Sequence, residues 1–101
     1  MTSPFNRYFK KKKRNYKKLL QESRKAQMEK LLENQHKTGF ENVSVAEGFF
    51  LLRDEVNELD VEIFAPGKPC DYEKVRREAA DVANFASMII LRCVQEMEKR
   101  K

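Results

Sequence analysis

Chain breakers are scarce, with three glycines and three prolines in 101 residues. With 37% of residues charged, this leaves little room for a turn-rich fold and points to long helices. There are two cysteines, Cys70 and Cys93, without metal-ligand spacing. A lone pair is no disulfide framework, so both read as reduced thiols in a cytoplasmic protein. The single histidine, His36, has no partner at ligand spacing and reads as a helix-end residue rather than a catalytic base. No long apolar run occurs. The start is basic but no apolar stretch follows it, which argues against a secretory leader. The longest such stretch, Ala86 to Leu91, is too short to cross a bilayer.

The length predicts one small domain, residues 1–101, and hydrophobics at 41% permit only a thin core, so self-association is expected. The net charge of +5 is uneven. Residues 1–30 hold 11 Lys/Arg against 2 acids, a balance of +9, and residues 31–101 hold 10 against 14, a balance of −4. The two parts must do different electrostatic work.

Ser3-Pro4 is a helix start, and from Phe5 to about Gln35 no Gly or Pro intervenes. Apolar residues there, among them Leu19, Leu20, Met28, Leu31 and Leu32, recur near helical spacing. Gly39 is a natural helix end. Residues 1–40 thus form a basic N-terminal helix or arm. Its unbroken run Lys10, Lys11, Lys12, Lys13, Arg14, with Lys17 and Lys18 beyond, suits three roles: a solvated face, a nucleic-acid arm, or a guide for a polyphosphate.

Ser44-Val45-Ala46-Glu47 is a capping box and opens a second helix. Phe49, Leu52, Val56, Leu59 and Ile63 form its packing stripe. Asp71 caps a third helix, whose stripe is Val75, Ala79, Val82, Ala86, Ile89, Cys93 and Met97. Between the two lies the break Ala65-Pro66-Gly67-Lys68-Pro69. So short a link favours antiparallel neighbours, a helical hairpin over residues 44–98.

Each helix of that pair carries two acids three residues apart, hence on one face: Glu55/Glu58 and Glu78/Asp81. At about 1.5 Å per residue, Glu58 lies roughly 10 Å before the break and Glu78 roughly 9 Å after it. Glu55 and Asp81 lie roughly 15 Å and 13.5 Å away. Folding back brings the four acids to one height. Crowded carboxylates repel unless a cation separates them, and all-oxygen ligands select hard ions, here Mg2+ with Mn2+ as the alternative. Solvated helix faces carry acids three apart as well. Bound Mg2+ would neutralise a polyphosphate and lower the pKa of a coordinated water. One of the four acids, or Asp54, would take the proton from that water. Phe85 and Leu51 lie one turn beyond the acids and make a small apolar wall suited to a flat base. Asn84, one turn from Asp81, reads as a phosphate or sugar contact or as a surface amide. Lys68 and Lys74 are candidate phosphate contacts.

Asp54-Glu55-Val56-Asn57-Glu58-Leu59 resembles the E-E-x-x-E-L segment of MazG-like all-α nucleoside triphosphate pyrophosphohydrolases. Arg77-Glu78-Ala79-Ala80-Asp81-Val82 is similar to their second segment, E-E-x-x-D, with Arg77 standing where the family has an acid. The resemblance spans roughly Phe49 to Leu91. It implies that Glu55, Glu58, Glu78 and Asp81 are catalytic magnesium ligands. The implied reaction is (d)NTP plus water to (d)NMP plus pyrophosphate, in a dimer or tetramer of helical subunits. The family often has a base-stacking tryptophan upstream, and this chain has none. Two other readings stay open. One is phosphoribosyl-ATP pyrophosphohydrolase, whose E-A-A-D motif is spelled by Glu78 to Asp81. The other is a non-enzymatic helical dimer whose basic arm binds nucleic acid. The expected architecture is all-α: a long N-terminal helix, then an antiparallel hairpin, assembling into a helical-bundle dimer or tetramer.

Overall fold

The computed structural model describes residues 15–35 and 42–100. Those residues are all-helical, with helix α1 at Tyr16–Glu33, α2 at Val45–Phe64 and α3 at Tyr72–Lys99. The lysine run at 10–14, the expected helix start at Ser3-Pro4, His36 and Gly39 lie outside the described residues. No described helix is long and apolar enough to cross a membrane.

Local chemistry sets the ends of α2 and α3. The Glu47 amide donates to Ser44 Oγ at 3.1 Å, and the Ser44 amide donates to Glu47 Oε1 at 3.4 Å. This reciprocal pair satisfies two amides at the start of the helix. Asp71 Oδ1 accepts from the amides of Glu73 and Lys74 at 3.1 and 3.3 Å and so caps α3. Between the helices, Gly67 adopts φ +73, a left-handed turn that glycine enters without a Cβ clash.

α2 packs along α3, and Gly48 is a point of close contact. It is buried, and a Cβ built there would stand 2.9 Å from Ile89 Cγ1. That Ile89 atom sits on a β-branched side chain with little χ1 freedom in a helix, so it cannot easily swing away. Gly48→Val should therefore overpack this contact and cost about 2–3 kcal/mol. A thermal melt checks it, the expected fall being on the order of 10 °C for a domain this small. Further along, Glu55 lies beside Glu78. Residue numbers thus rise along α2 as they fall along α3.

α1 sits on α3 through a polar seam. Arg76 forks onto Glu29 at 2.8 and 3.2 Å, and Arg77 Nη2 donates to both oxygens of Glu33 at 2.8 Å. Gln27 Nε2 donates to Asn84 Oδ1 at 3.1 Å and to Ser87 Oγ at 3.0 Å, and Asn84 Nδ2 returns a bond to the Gln27 carbonyl at 3.2 Å. Ala26 and Ala80, the buried hydrophobic residues here, lie within the same seam.

The expected apolar stripes are only partly covered. On α3, Val75, Val82, Ala86 and Ile89 are half-buried, but Ala79, Cys93 and Met97 are exposed. On α2, Leu52 and Leu59 are half-buried, while Phe49, Val56 and Ile63 are exposed. On α1 the stripe faces outward: Leu19, Leu20, Met28, Leu31 and Leu32 are all exposed. The contact with α3 is made instead by alanine, amide and ion-pair groups, which turns α1 roughly a quarter of a revolution from the packing its apolar residues suggest.

Candidate metal centre

The two capped helices deliver their acids to a shared seam. Glu55 and Glu58 are one turn apart on α2 and point toward Glu78 on α3. One carboxylate oxygen from each of the three lies within 4.8 Å of the others. Glu55 and Glu78 are half-buried and Glu58 is exposed, so the group opens to solvent on the Glu58 side.

This crowding is electrostatically costly. Burial, the closeness of Glu58, and the charges of Asp81 and Glu78 raise the Glu55 pKa to about 7. Burial and then the charges of Glu58 and Asp81 also raise Glu78, while Lys30 pulls it back. Glu58 is within hydrogen-bonding reach of both neighbours. One oxygen each of Glu55 and Glu78, Oε2 in both cases, is buried without a hydrogen-bond partner. Buried acceptors are rarely left so.

The donor set suits a hard divalent cation. The three oxygens, within 4.8 Å of one another, are anionic donors that one such ion could draw together. The two unpartnered oxygens are acceptors that a cation would satisfy.

The fourth expected acid, Asp81, stands beside the group rather than in it. Its Oδ2 lies 3.5 Å from Lys30 Nζ of α1, and its charge still reaches Glu55. Asn84 is no surface amide. It is 5% exposed and occupied by Gln27. Its place on the α1 side of α3, one turn past Ala80, explains this. Phe85 is half-buried and Leu51 is 38% exposed. Asp54, Lys68 and Lys74 are exposed, and Cys70 and Cys93 are free, exposed thiols.

Sequence reasoning missed Lys30, Glu33 and Gln27, three residues of α1 that meet α3 around the acids. Ser23, Gln27, Lys30 and Asn34 recur at spacings of four, three and four. That is the periodicity of a packing face, written in polar residues. Arg77 has a structural use, holding Glu33. A cleft of about 710 Å³ opens between α1 and α3, lined by Leu19, Ala26, Ala79, Ala80, Ala83 and Arg76 among others. None of the four acids lines it. Its polar lining, Lys18, Glu22, Ser23 and Arg76, gathers no group of acids, so Glu55, Glu58 and Glu78 remain the candidate site.

Set against protein-family models, curated proteins and solved structures, the chain matches none of them.

Proposed function

We propose that this chain is a Mg2+-dependent nucleoside triphosphate pyrophosphohydrolase that splits a (d)NTP and water into (d)NMP and pyrophosphate. One observation carries the reading: Glu55 and Glu78 each present a buried, unpartnered carboxylate oxygen to a group of three that fits a divalent cation. The motif resemblance of Phe49 to Leu91 supplies the reaction.

Glu55, Glu58 and Glu78 would hold the ion. When bound, Mg2+ supplies neutralising charge to the polyphosphate and acidifies water. The residues do the rest. α2 and α3 hold the acids at one height, and burial sharpens every charge interaction at the seam. Asp54 is exposed and stands outside the group, so it is an acid left over to accept a proton. Phe85 and Leu51 offer apolar surface for a base. The exposed apolar residues of all three helices, Leu20, Phe50, Phe64 and Ile90 among them, support assembly into a helical-bundle homodimer or tetramer around the α2–α3 hairpin.

The test is a panel of ribo- and deoxyribonucleoside triphosphates, plus phosphoribosyl-ATP, incubated with and without Mg2+ while pyrophosphate is measured. Release from an NTP or dNTP only when Mg2+ is present is the expected result. Turnover of phosphoribosyl-ATP alone would reassign the substrate, and silence across the panel would overturn the proposal.

A further inference from the structure

Lys30 is the cation that α1 brings to the acids. Its side chain is 16% exposed and that of Asp81 17%, with Nζ 3.5 Å from Asp81 Oδ2 and 3.4 Å from Glu33 Oε2. Glu33 is already held by Arg77, which donates to both of its oxygens at 2.8 Å. The ammonium is therefore not needed at Glu33. Among the described residues, Lys30–Asp81 is the one ion pair formed by any of the four acids. Both Lys30 contacts exceed the roughly 2.7–2.9 Å of a strong charge-assisted hydrogen bond. Charge and partial burial hold this ammonium, not a tight bond.

Such a group is poised to move. A lysine ammonium is a compact charge on a flexible four-carbon stem, with three donors and no fixed orientation. Its donors match the non-bridging oxygens of a polyphosphate as readily as a carboxylate. Asp81, one turn from Glu78, is the acid that would extend the group of three to four, and the lysine currently occupies it.

We propose that Lys30 is a resident counter-ion that exchanges partners: its ammonium holds Asp81 in the metal-free protein and turns to a phosphate oxygen of the nucleotide when Asp81 joins Glu55, Glu58 and Glu78 around the divalent ion. This rests on the metal reading given above and extends it, assigning α1 a part in binding substrate. No bond is made or broken in the exchange; one ion pair replaces another.

The two halves of the exchange predict opposite signs in one variant. Lys30→Met removes the competitor for Asp81, so Mn2+ titrated without nucleotide should bind about tenfold more tightly. The same variant loses the phosphate contact, so a non-hydrolysable NTP analogue should bind about tenfold more weakly at saturating Mn2+. Lys30→Arg keeps the charge and should hold both constants near wild type. Lys30→Gln carries the same expectation as the methionine variant and serves if that variant does not fold. Calorimetric titrations read both constants without any turnover. Mn2+ uptake by the wild type, with both constants unmoved or moved in the same direction in Lys30→Met, would overturn the exchange and leave the metal reading standing. No Mn2+ uptake by the wild type would overturn both.

Discussion

Glu58→Gln is expected to melt higher than the wild type without divalent cations, and to release pyrophosphate on the order of a thousandfold more slowly with them. Both effects come from one substitution of nearly equal shape. Glu58 is the acid within reach of both Glu55 and Glu78. Replacing its carboxylate with an amide removes one of the charges that repel at the seam. It also adds N–H donors beside two oxygens that have no partner. Satisfying a buried acceptor recovers part of a penalty of about 1–3 kcal/mol. A net gain of about 1 kcal/mol would raise the melting temperature by about 4–8 °C in a domain of this size. The same amide is a poor ligand for a hard cation, and losing an anionic ligand removes several kcal/mol of charge stabilisation from the reacting phosphate. A thousandfold loss corresponds to about 4 kcal/mol of barrier. Calorimetric melts in a chelator and a Mg2+-dependent pyrophosphate assay read the two sides. A variant that melts lower, or that turns over at the wild-type rate, would end the case for Glu58 as a shared ligand.

The pairing of a stability gain with a functional loss separates a site from a solvated helix face. Exposed surface acids exchanged for amides usually change stability by less than about 0.5 kcal/mol. Here three acids are gathered, two of their oxygens are buried, and nothing in the described residues neutralises Glu55 or Glu58 by direct contact. A fold keeps such an arrangement at a cost, and function is the usual reason for keeping it.

What was legible in the sequence was short-range. The Ser44/Glu47 box and the Asp71 cap are fixed by side chains two or three residues from the amides they satisfy. The break at Pro66 and Gly67 follows from backbone permissions. With both helix ends known, simple rise arithmetic put Glu58 level with Glu78 and Glu55 level with Asp81, whereas the structure gathers Glu55, Glu58 and Glu78 and leaves Asp81 to one side. The α1 packing was illegible because two faces of that helix have the same period. Leu20, Met28, Leu31 and Leu32 advertise an apolar stripe, while Ser23, Gln27, Lys30 and Asn34 trace a polar one. Burial energetics favour the first, yet α3 presents Arg76, Arg77, Asn84 and Ser87 to α1. Complementary polar groups over 40 residues apart decide the rotation, and no local pattern encodes that match. Asp81 illustrates the consequence. Its height was foreseen from α3 alone, but its partner comes from the helix whose rotation was not.

The pH dependence of the metal-free protein should run opposite to that of an ordinary acid-paired protein around neutrality. Glu55 has its pKa raised from 4.5 to about 7, chiefly by burial and then by its acidic neighbours. Between those values the folded state binds more protons than the unfolded one, so unfolding free energy falls as pH rises. The stability is fully present below pH 4.5 and is lost as pH climbs through about 7. For a fully buried group that shift would be worth about 3 kcal/mol. Glu55 is only half-buried and the group opens at Glu58, so solvent screening reduces this to about 1–2 kcal/mol. Glu29 and Glu33 act in the other direction, because Arg76 and Arg77 hold them below their usual 4.5. Their contribution is present above that value and fades as pH falls further, loosening α1. Melting temperature in a chelator should therefore peak near pH 5 and fall by about 5–10 °C toward pH 8. A divalent cation binds only the ionised group, so its stabilising effect should grow over the same interval and flatten or reverse the decline. At a concentration 100 times its dissociation constant the ion would add about 2.7 kcal/mol. Melts across pH 4–8 with and without Mg2+ test this directly. Curves that run parallel at every pH would show that Glu55 does not meet the ion.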